Sequence, residues 1–156
     1  MIEREQVIKA ATNILENNIV ATLCTTDGLS IHANNVYYAY NNEWDIVFVS
    51  DRNTVHGKNI QAKESVSLVV YNEPQAYGVN HQGIQMEGTC KEATGEDLFK
   101  SWLLYVKRFP VFKNLMSDIN QIVKGLVDTR IYIIKVSDIK VMDIPVLGKG
   151  NFSVKL

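Results

Sequence analysis

Hydrophobic positions near the start of the chain fall at helical spacing. Val7, Ile8, Ala11, Ile14 and Leu15 line one side of residues 3–17, and Glu3, Arg4, Glu5, Lys9 and Glu16 lie opposite. Such a segment reads as an amphipathic helix lying on a core. The period then changes. Residues 19–25, 30–40, 44–50, 65–71, 81–94 and 130–142 are rich in Val, Ile, Thr and Tyr and read as strands. Thr26-Asp-Gly28 and Asn41-Asn-Glu43 separate the first three, where tight turns would join an antiparallel meander.

A helical insert at about 95–125 interrupts the strands. Thr94-Gly-Glu-Asp97 has capping-box spacing, and Leu98, Trp102 and Tyr105 follow at i, i+4 and i+7. Lys107 and Arg108 close the helix with the charge its C-terminus favours, and Pro110 ends or redirects it. A second helical run over 111–124 closes near Gly125. Trp102, Tyr105, Phe109 and Phe112 read as core packing of this insert. No repeat, low-complexity stretch or linker divides the chain, so residues 1–156 are expected to form one domain. Its strand count with few helices predicts a mainly β fold, a small closed or partly closed barrel flanked by helices.

Composition narrows the class without naming a function. With 156 residues, 46% of them hydrophobic, the chain can bury a real core. A formal charge of -1 lacks the Lys and Arg excess that phosphate-backbone affinity needs, so no nucleic-acid partner is expected. Cys24 and Cys90 sit in strand-like runs without ligand spacing, and they read as reduced, buried thiols rather than a zinc site. His32 and His81 have no carboxylate or cysteine at metal-ligand spacing. No signal-peptide core or membrane-length apolar run is seen, and a cytoplasmic protein without a membrane partner is expected. There is no Gly-x-Ser-x-Gly, His-Glu-x-x-His, Walker loop or paired-carboxylate signature. Hydrolysis therefore has no local support, and no side chain declares itself as a catalytic acid, base or nucleophile.

The stretch richest in chemistry is Ile46-Val-Phe-Val-Ser50-Asp-Arg-Asn-Thr54-Val-His56-Gly-Lys58-Asn59, where a buried-strand pattern runs into a polar, basic helix start. Ser50 ends the strand, Asn53 and Thr54 are candidate N-caps, and His56 and Lys58 lie in the first helical turns. Unpaired amides and the positive end of the helix dipole favour an anion at such a junction. Ordinary strand termination and helix capping use the same residues, so two readings fit. Asn34 and Asn35 are a further oddity, because strands tolerate few asparagines.

The order of these elements resembles the flavin-binding split barrel of the pyridoxamine 5'-phosphate oxidase superfamily. Val49-Ser50 and Thr54-Val-His56-Gly57 fall where that family has its strand-ending Thr or Ser and its Ser-Arg-Lys-Gly-like helix start. Asn34-Asn-Val36-Tyr37 falls on the Arg-x-Val-Leu strand motif, and Gln85-Met-Glu-Gly88 on the "rIeG"-like motif. Arg108-Phe-Pro-Val111 and Leu147-Gly-Lys149, with Ala33-Asn34 and Thr54-x-His56, resemble a small, largely uncharacterised branch.

The resemblance implies an antiparallel Greek-key split barrel that binds FMN at a homodimer interface. Asn34, Asn35, Val36, Tyr37, Val49, Ser50, Thr54, Val55, His56 and Lys58 are the implied cofactor contacts. It also implies a flavin-dependent oxidoreductase acting on an unknown small molecule or electron donor. Two departures stand out: Asn34 replaces the motif's Arg, and Val55-His56 replaces its Arg-Lys. Arg52, Lys58 or Lys149 would have to restore the lost charge, and Lys149, flanked by two glycines, is the expected replacement, reaching the pocket from the same dimer. Oxidation of pyridoxamine phosphate is not implied, since the Arg and His residues that read that substrate are not visible in the tail. The alternatives are a non-catalytic binding or sensing protein for flavin, haem or a deazaflavin, and a ligand-free dimer.

Overall fold

In a computed structural model, which describes residues 2–115 and 119–156, the chain begins with helix α1 (Arg4–Asn17). The Gln6 side chain accepts the Glu3 amide at 2.9 Å to start it. Val7, Ala10, Ala11, Ile14 and Leu15 form its buried stripe. Strands β1 (Val20–Thr26), β2 (Ile31–Tyr40) and β3 (Asp45–Asp51) follow as an antiparallel meander, and helix α2 (Val55–Ala62) leads to β4 (Ser65–Tyr71) and β5 (Gln82–Glu92). Helices α3 (Gly95–Arg108), α4 (Pro110–Leu115) and α5 (Asn120–Val123) precede the long strand β6 (Thr129–Asp143). A short helix α6 (Ile144–Leu147) and strand β7 (Phe152–Lys155) end the chain.

The strands run in the order β3-β2-β1-β4-β5-β6, and pairing of β3 with β6 closes them into a six-stranded antiparallel barrel. Side-chain alternation sends Leu23, Tyr38, Phe48, Leu68, Met86 and Ile134 into the barrel, where α1 adds Ile14 and Leu15. The opposite face of β2, β3 and β6 carries a second core. There Ala39, Val47, Ile131 and Ile133 pack under Leu98 and Tyr105 of α3, with Trp102, Phe109 and Phe112 beside them. The aromatic group of the insert is thus packing material, as its spacing predicts. The Tyr105 ring lies 4.9 Å from Phe109 and 5.0 Å from Phe112.

Closure is uneven. β2 and β3 pair over only three rungs, Tyr38–Phe48 to Tyr40–Ile46, so residues 31–37 of β2 have no strand on that side. On its other edge the same stretch pairs fully with β1. The register of β5 against β6 shifts at Glu87/Gly88, and a Cβ at Gly88 would sit 2.2 Å from the Lys135 carbonyl oxygen. Glycine at the end of Gln85-Met-Glu-Gly88 is therefore a packing requirement of the bulge.

Four details depart from the sequence reading. Thr94 sits at the N-cap of α3, but its side chain makes no capping bond. The helical run expected over 111–124 is represented by α4 and α5, while residues 116–118 lie outside the described residues. Arg108 does not serve the end of its own helix. Its Nη2 donates to the carbonyls of Leu15 (2.9 Å) and Asn18, at the C-terminus of α1. Finally, the run after Pro145, assigned no strand from sequence, forms β7, which pairs with residues 138–141 of β6 and is too short to leave a periodic signature.

Candidate functional site

The end of the barrel under α2 is where the chemistry collects. α2 starts where the geometry of Thr54 allows it: the Thr54 hydroxyl accepts the Gly57 amide at 3.1 Å and donates to the Asp51 carbonyl at 2.7 Å. The first turn is pressed onto the preceding loop, because a Cβ at Gly57 would lie 2.6 Å from the Arg52 carbonyl oxygen. Farther along, Asn59 Nδ2 donates to Thr25 Oγ1 at 3.1 Å in a buried bond that ties the helix to β1. With the amides of Gly57 and Lys58 taken by Thr54, those of Val55 and His56 are left without a partner among the described residues.

Ser50 and His56 meet beneath this turn, their Oγ and Nε2 2.6 Å apart. Burial lowers the His56 pKa below the ordinary imidazole value, and His32 lowers it further. A neutral ring is therefore the favoured form in the ligand-free protein. The ring also lies 6.3 Å from that of Phe48, which stacks on Tyr132 at 5.0 Å.

Tyr132 is fully buried, yet its hydroxyl has no hydrogen-bond partner among the described residues. Burial, with Glu92 and Cys90 nearby, pushes the phenol up to about 12 against the opposing pull of Arg130 and Arg52. Opposite Ser50 in the β3–β6 ladder lies Arg130. Its Nε binds Glu92 at 2.8 Å, and its Nη1 donates to the Thr129 carbonyl at 2.8 Å and to that of Val127.

The adjacent asparagines part company. Asn35 faces outward opposite Thr22 and accepts its hydroxyl at 3.1 Å, so a cross-strand pair satisfies it. Asn34 pairs with the inward-facing Leu23, and its Oδ1 is buried with no partner among the described residues. Val36 is core, whereas Tyr37 is exposed and packs edge-on against Phe109 at 5.9 Å. Val49 faces the second core. Val55 and Lys58 are exposed on α2.

Lys149 is not brought to this end within one chain. It precedes β7, which pairs with Asp138–Val141, whereas Ser50 pairs with Arg130 at the other end of β6. Eleven residues of strand separate Arg130 from Val141, roughly 35 Å along the strand. Sequence reasoning gave Tyr132 and Thr25 no role, since a strand Tyr or Thr carries no signal until its neighbours are known.

Two grooves of about 550 Å³ and 300 Å³ lie instead on the outer faces of β1 and β4. Thr25, Thr26, Ile31 and Ser67 line the first; Val20, Asn35 and Tyr71 line the second. Ile31, Val20 and Tyr71 also stand among the exposed large apolar residues. Among the described residues no cluster of His, Cys, Asp and Glu could hold a metal ion, and no helix is long and apolar enough to cross a membrane.

Comparison with known proteins places this geometry. The family model described as pyridoxamine 5'-phosphate oxidase matches residues 7–142. A UPF0306 protein of Klebsiella pneumoniae is 25% identical over 118 residues, covering 75% of this chain and 80% of that one. Among solved structures, a haem-binding protein from Mycobacterium smegmatis superposes with a TM-score of 0.77 at 15% identity over 99% of this chain. This chain spans 60% of that protein's length. An FAD-binding protein from Mesorhizobium loti gives a TM-score of 0.62 at 15% identity, covering 88% of this chain and 92% of the other.

Proposed function

Because the chain belongs to the pyridoxamine 5'-phosphate oxidase family, we propose that it is an FMN-binding flavoprotein working as a flavin-dependent oxidoreductase on a small molecule. One observation carries the reading: the β2 edge at residues 31–37, which has no strand partner, lies beside a helix start with two free amides and a Ser50–His56 pair. The phosphate would take the amides of Val55 and His56, with the Ser50 hydroxyl and the His56 ring completing its shell. The Asn34 amide would turn to the ribityl hydroxyls, which offer its orphaned oxygen the donor it lacks. The ring would lie along the β2 backbone at Val36 and Tyr37. Thr54 holds the turn in shape rather than touching the ligand, since both its hydroxyl bonds are spent on the cap.

FMN, when bound, supplies hydride or electron transfer. The residues here hold its phosphate and orient the ring. The site lies open on the single chain, and the exposed apolar residues of the neighbouring sheet face, Val20, Ile31, Tyr37 and Tyr71, favour a homodimer that covers the ring.

The test is the visible spectrum of protein purified without added cofactor, followed by titration with FMN, riboflavin and haem. A flavin spectrum, or FMN affinity exceeding that for riboflavin, is expected, with bleaching by a nicotinamide donor if the protein turns over. Binding of haem alone would replace the flavin reading with that of a haem carrier. A monomer at every concentration with flavin still bound would remove the shared site.

A further inference from the structure

The proposed phosphate site has lost two cations at Asn34 and Val55, and the structure offers a different one. The chain's arginines are Arg4, Arg52, Arg108 and Arg130. Three are engaged: Arg4 donates to the Lys155 carbonyl at 3.2 Å, Arg108 to the end of α1, and Arg130 to Glu92 and two carbonyls. The Arg52 guanidinium makes no hydrogen bond or ion pair among the described residues. Its backbone, by contrast, is clamped. The Arg52 amide donates to the Asp128 carbonyl at 3.0 Å, and its carbonyl meets the α2 turn at Gly57. A fixed Cα one residue beyond β3 thus carries a guanidinium with nothing to bind.

No carboxylate forms an ion pair with it among the described residues. The Asp51 carboxylate accepts the Asn53 amide at 2.7 Å, and Glu92 is taken by Arg130. Arg52 is also felt inside the barrel end, where it opposes the upward pressure of burial on the Tyr132 phenol. The buried Tyr132 hydroxyl is unpartnered among the described residues. The free amides of α2 and a guanidinium unpaired among the described residues are therefore carried by one clamped turn.

We infer that Arg52 is the specificity-determining cation of this site, donating its guanidinium fork to a terminal phosphate and so distinguishing phosphorylated flavin from riboflavin. The inference rests on the flavin reading above. A guanidinium presents paired donors that match phosphate oxygens, whereas Lys58 lies exposed on the helix surface and Lys149 at the far end of β6.

Equilibrium titrations of the full chain with FMN and with riboflavin, followed by flavin fluorescence at low and high salt, test this. Arg52→Gln should lower the FMN affinity by about tenfold or more while leaving riboflavin affinity unchanged. Arg52→Lys should keep part of the preference, and the salt sensitivity of FMN binding should fall in the Gln variant. Unchanged thermal unfolding of the Lys variant keeps the comparison valid if the Gln variant folds poorly. A full FMN preference in both variants overturns the role of Arg52 and leaves the flavin reading standing. Equal affinity of the unaltered protein for FMN and riboflavin overturns both.

Discussion

The two ends of the barrel are built from similar parts and finished differently. Tyr38 and Tyr132, both fully buried, flank Phe48 in one cross-strand row, and their hydroxyls serve different surroundings, each with an arginine close by. At the α1 end the Tyr38 hydroxyl donates to the Leu15 carbonyl at 2.8 Å, and Arg108 lies 5.2 Å from the ring centroids of Tyr38 and Tyr40 while donating to the last carbonyls of α1. At the α2 end neither the Tyr132 hydroxyl nor the Arg52 guanidinium has a partner among the described residues. An unmet hydrogen bond in a dry interior costs more than a met one gains. The Tyr38 hydroxyl thus contributes to stability, although Arg108 Nε beside it is unpartnered among the described residues, whereas the Tyr132 hydroxyl makes no such bond.

Substitutions can break that contrast. The largest effect is expected from Arg108→Ala, which leaves the Leu15 and Asn18 carbonyls short of a charged donor and removes two cation–π contacts. A loss of about 3 kcal/mol in urea unfolding is expected, with no change in the ratio of FMN to riboflavin affinity. Should that ratio move, the two ends are not independent.

Gly57→Ala comes next. The added methyl would meet the Arg52 carbonyl, which is backbone and cannot swing away, so about 2 kcal/mol of overpacking is expected. Because the strain falls on the α2 turn, FMN binding should weaken along with stability. Retained FMN affinity in a destabilised Gly57→Ala protein would separate the turn from the site.

A paired comparison sharpens the point further. Tyr38→Phe should cost about 1 kcal/mol by depriving the Leu15 carbonyl of its hydroxyl donor. Tyr132→Phe should be neutral or slightly stabilising in the ligand-free protein, since the group it removes is unsatisfied. Equal costs at the two positions would show that both hydroxyls are bonded in solution.

The smallest expected effect is on pH dependence. The native pKa of His56 is lowered, so its contribution to stability is present above the ordinary imidazole value of about 6.5 and is lost as pH falls through the lowered native value. His56→Gln should flatten the acid side of the unfolding curve. A phosphate at the site would act in the opposite sense, favouring the imidazolium. Preference for FMN over riboflavin is thus expected to rise as pH drops from about 8 toward 6.5, with His32 as the neighbouring base. A flat preference would place the phosphate away from the imidazole.

Much of this protein was legible from residue order alone, because strands and amphipathic helices bury one face each and so print their period in the sequence. The leading helix, six strands and the position of Thr54 at the head of α2 follow from local patterning, and the family motifs point to the Ser50–His56 junction. Tertiary structure decided what no local pattern carries. Asn34 and Asn35 are identical neighbours, yet the pleat sends one amide to Thr22 and leaves the other orphaned inside. Arg108 and Arg52 are both arginines at element ends, but only folding brings α1 against one of them. β7 exists because β6 is long enough to leave a free edge for four residues with little pattern of their own. Lys149, attractive in sequence for its flanking glycines, is held at the other end of that strand. Pairing across the barrel is set by contacts between residues distant in sequence, and so the partner each polar group finds, or lacks, was settled only when the barrel closed.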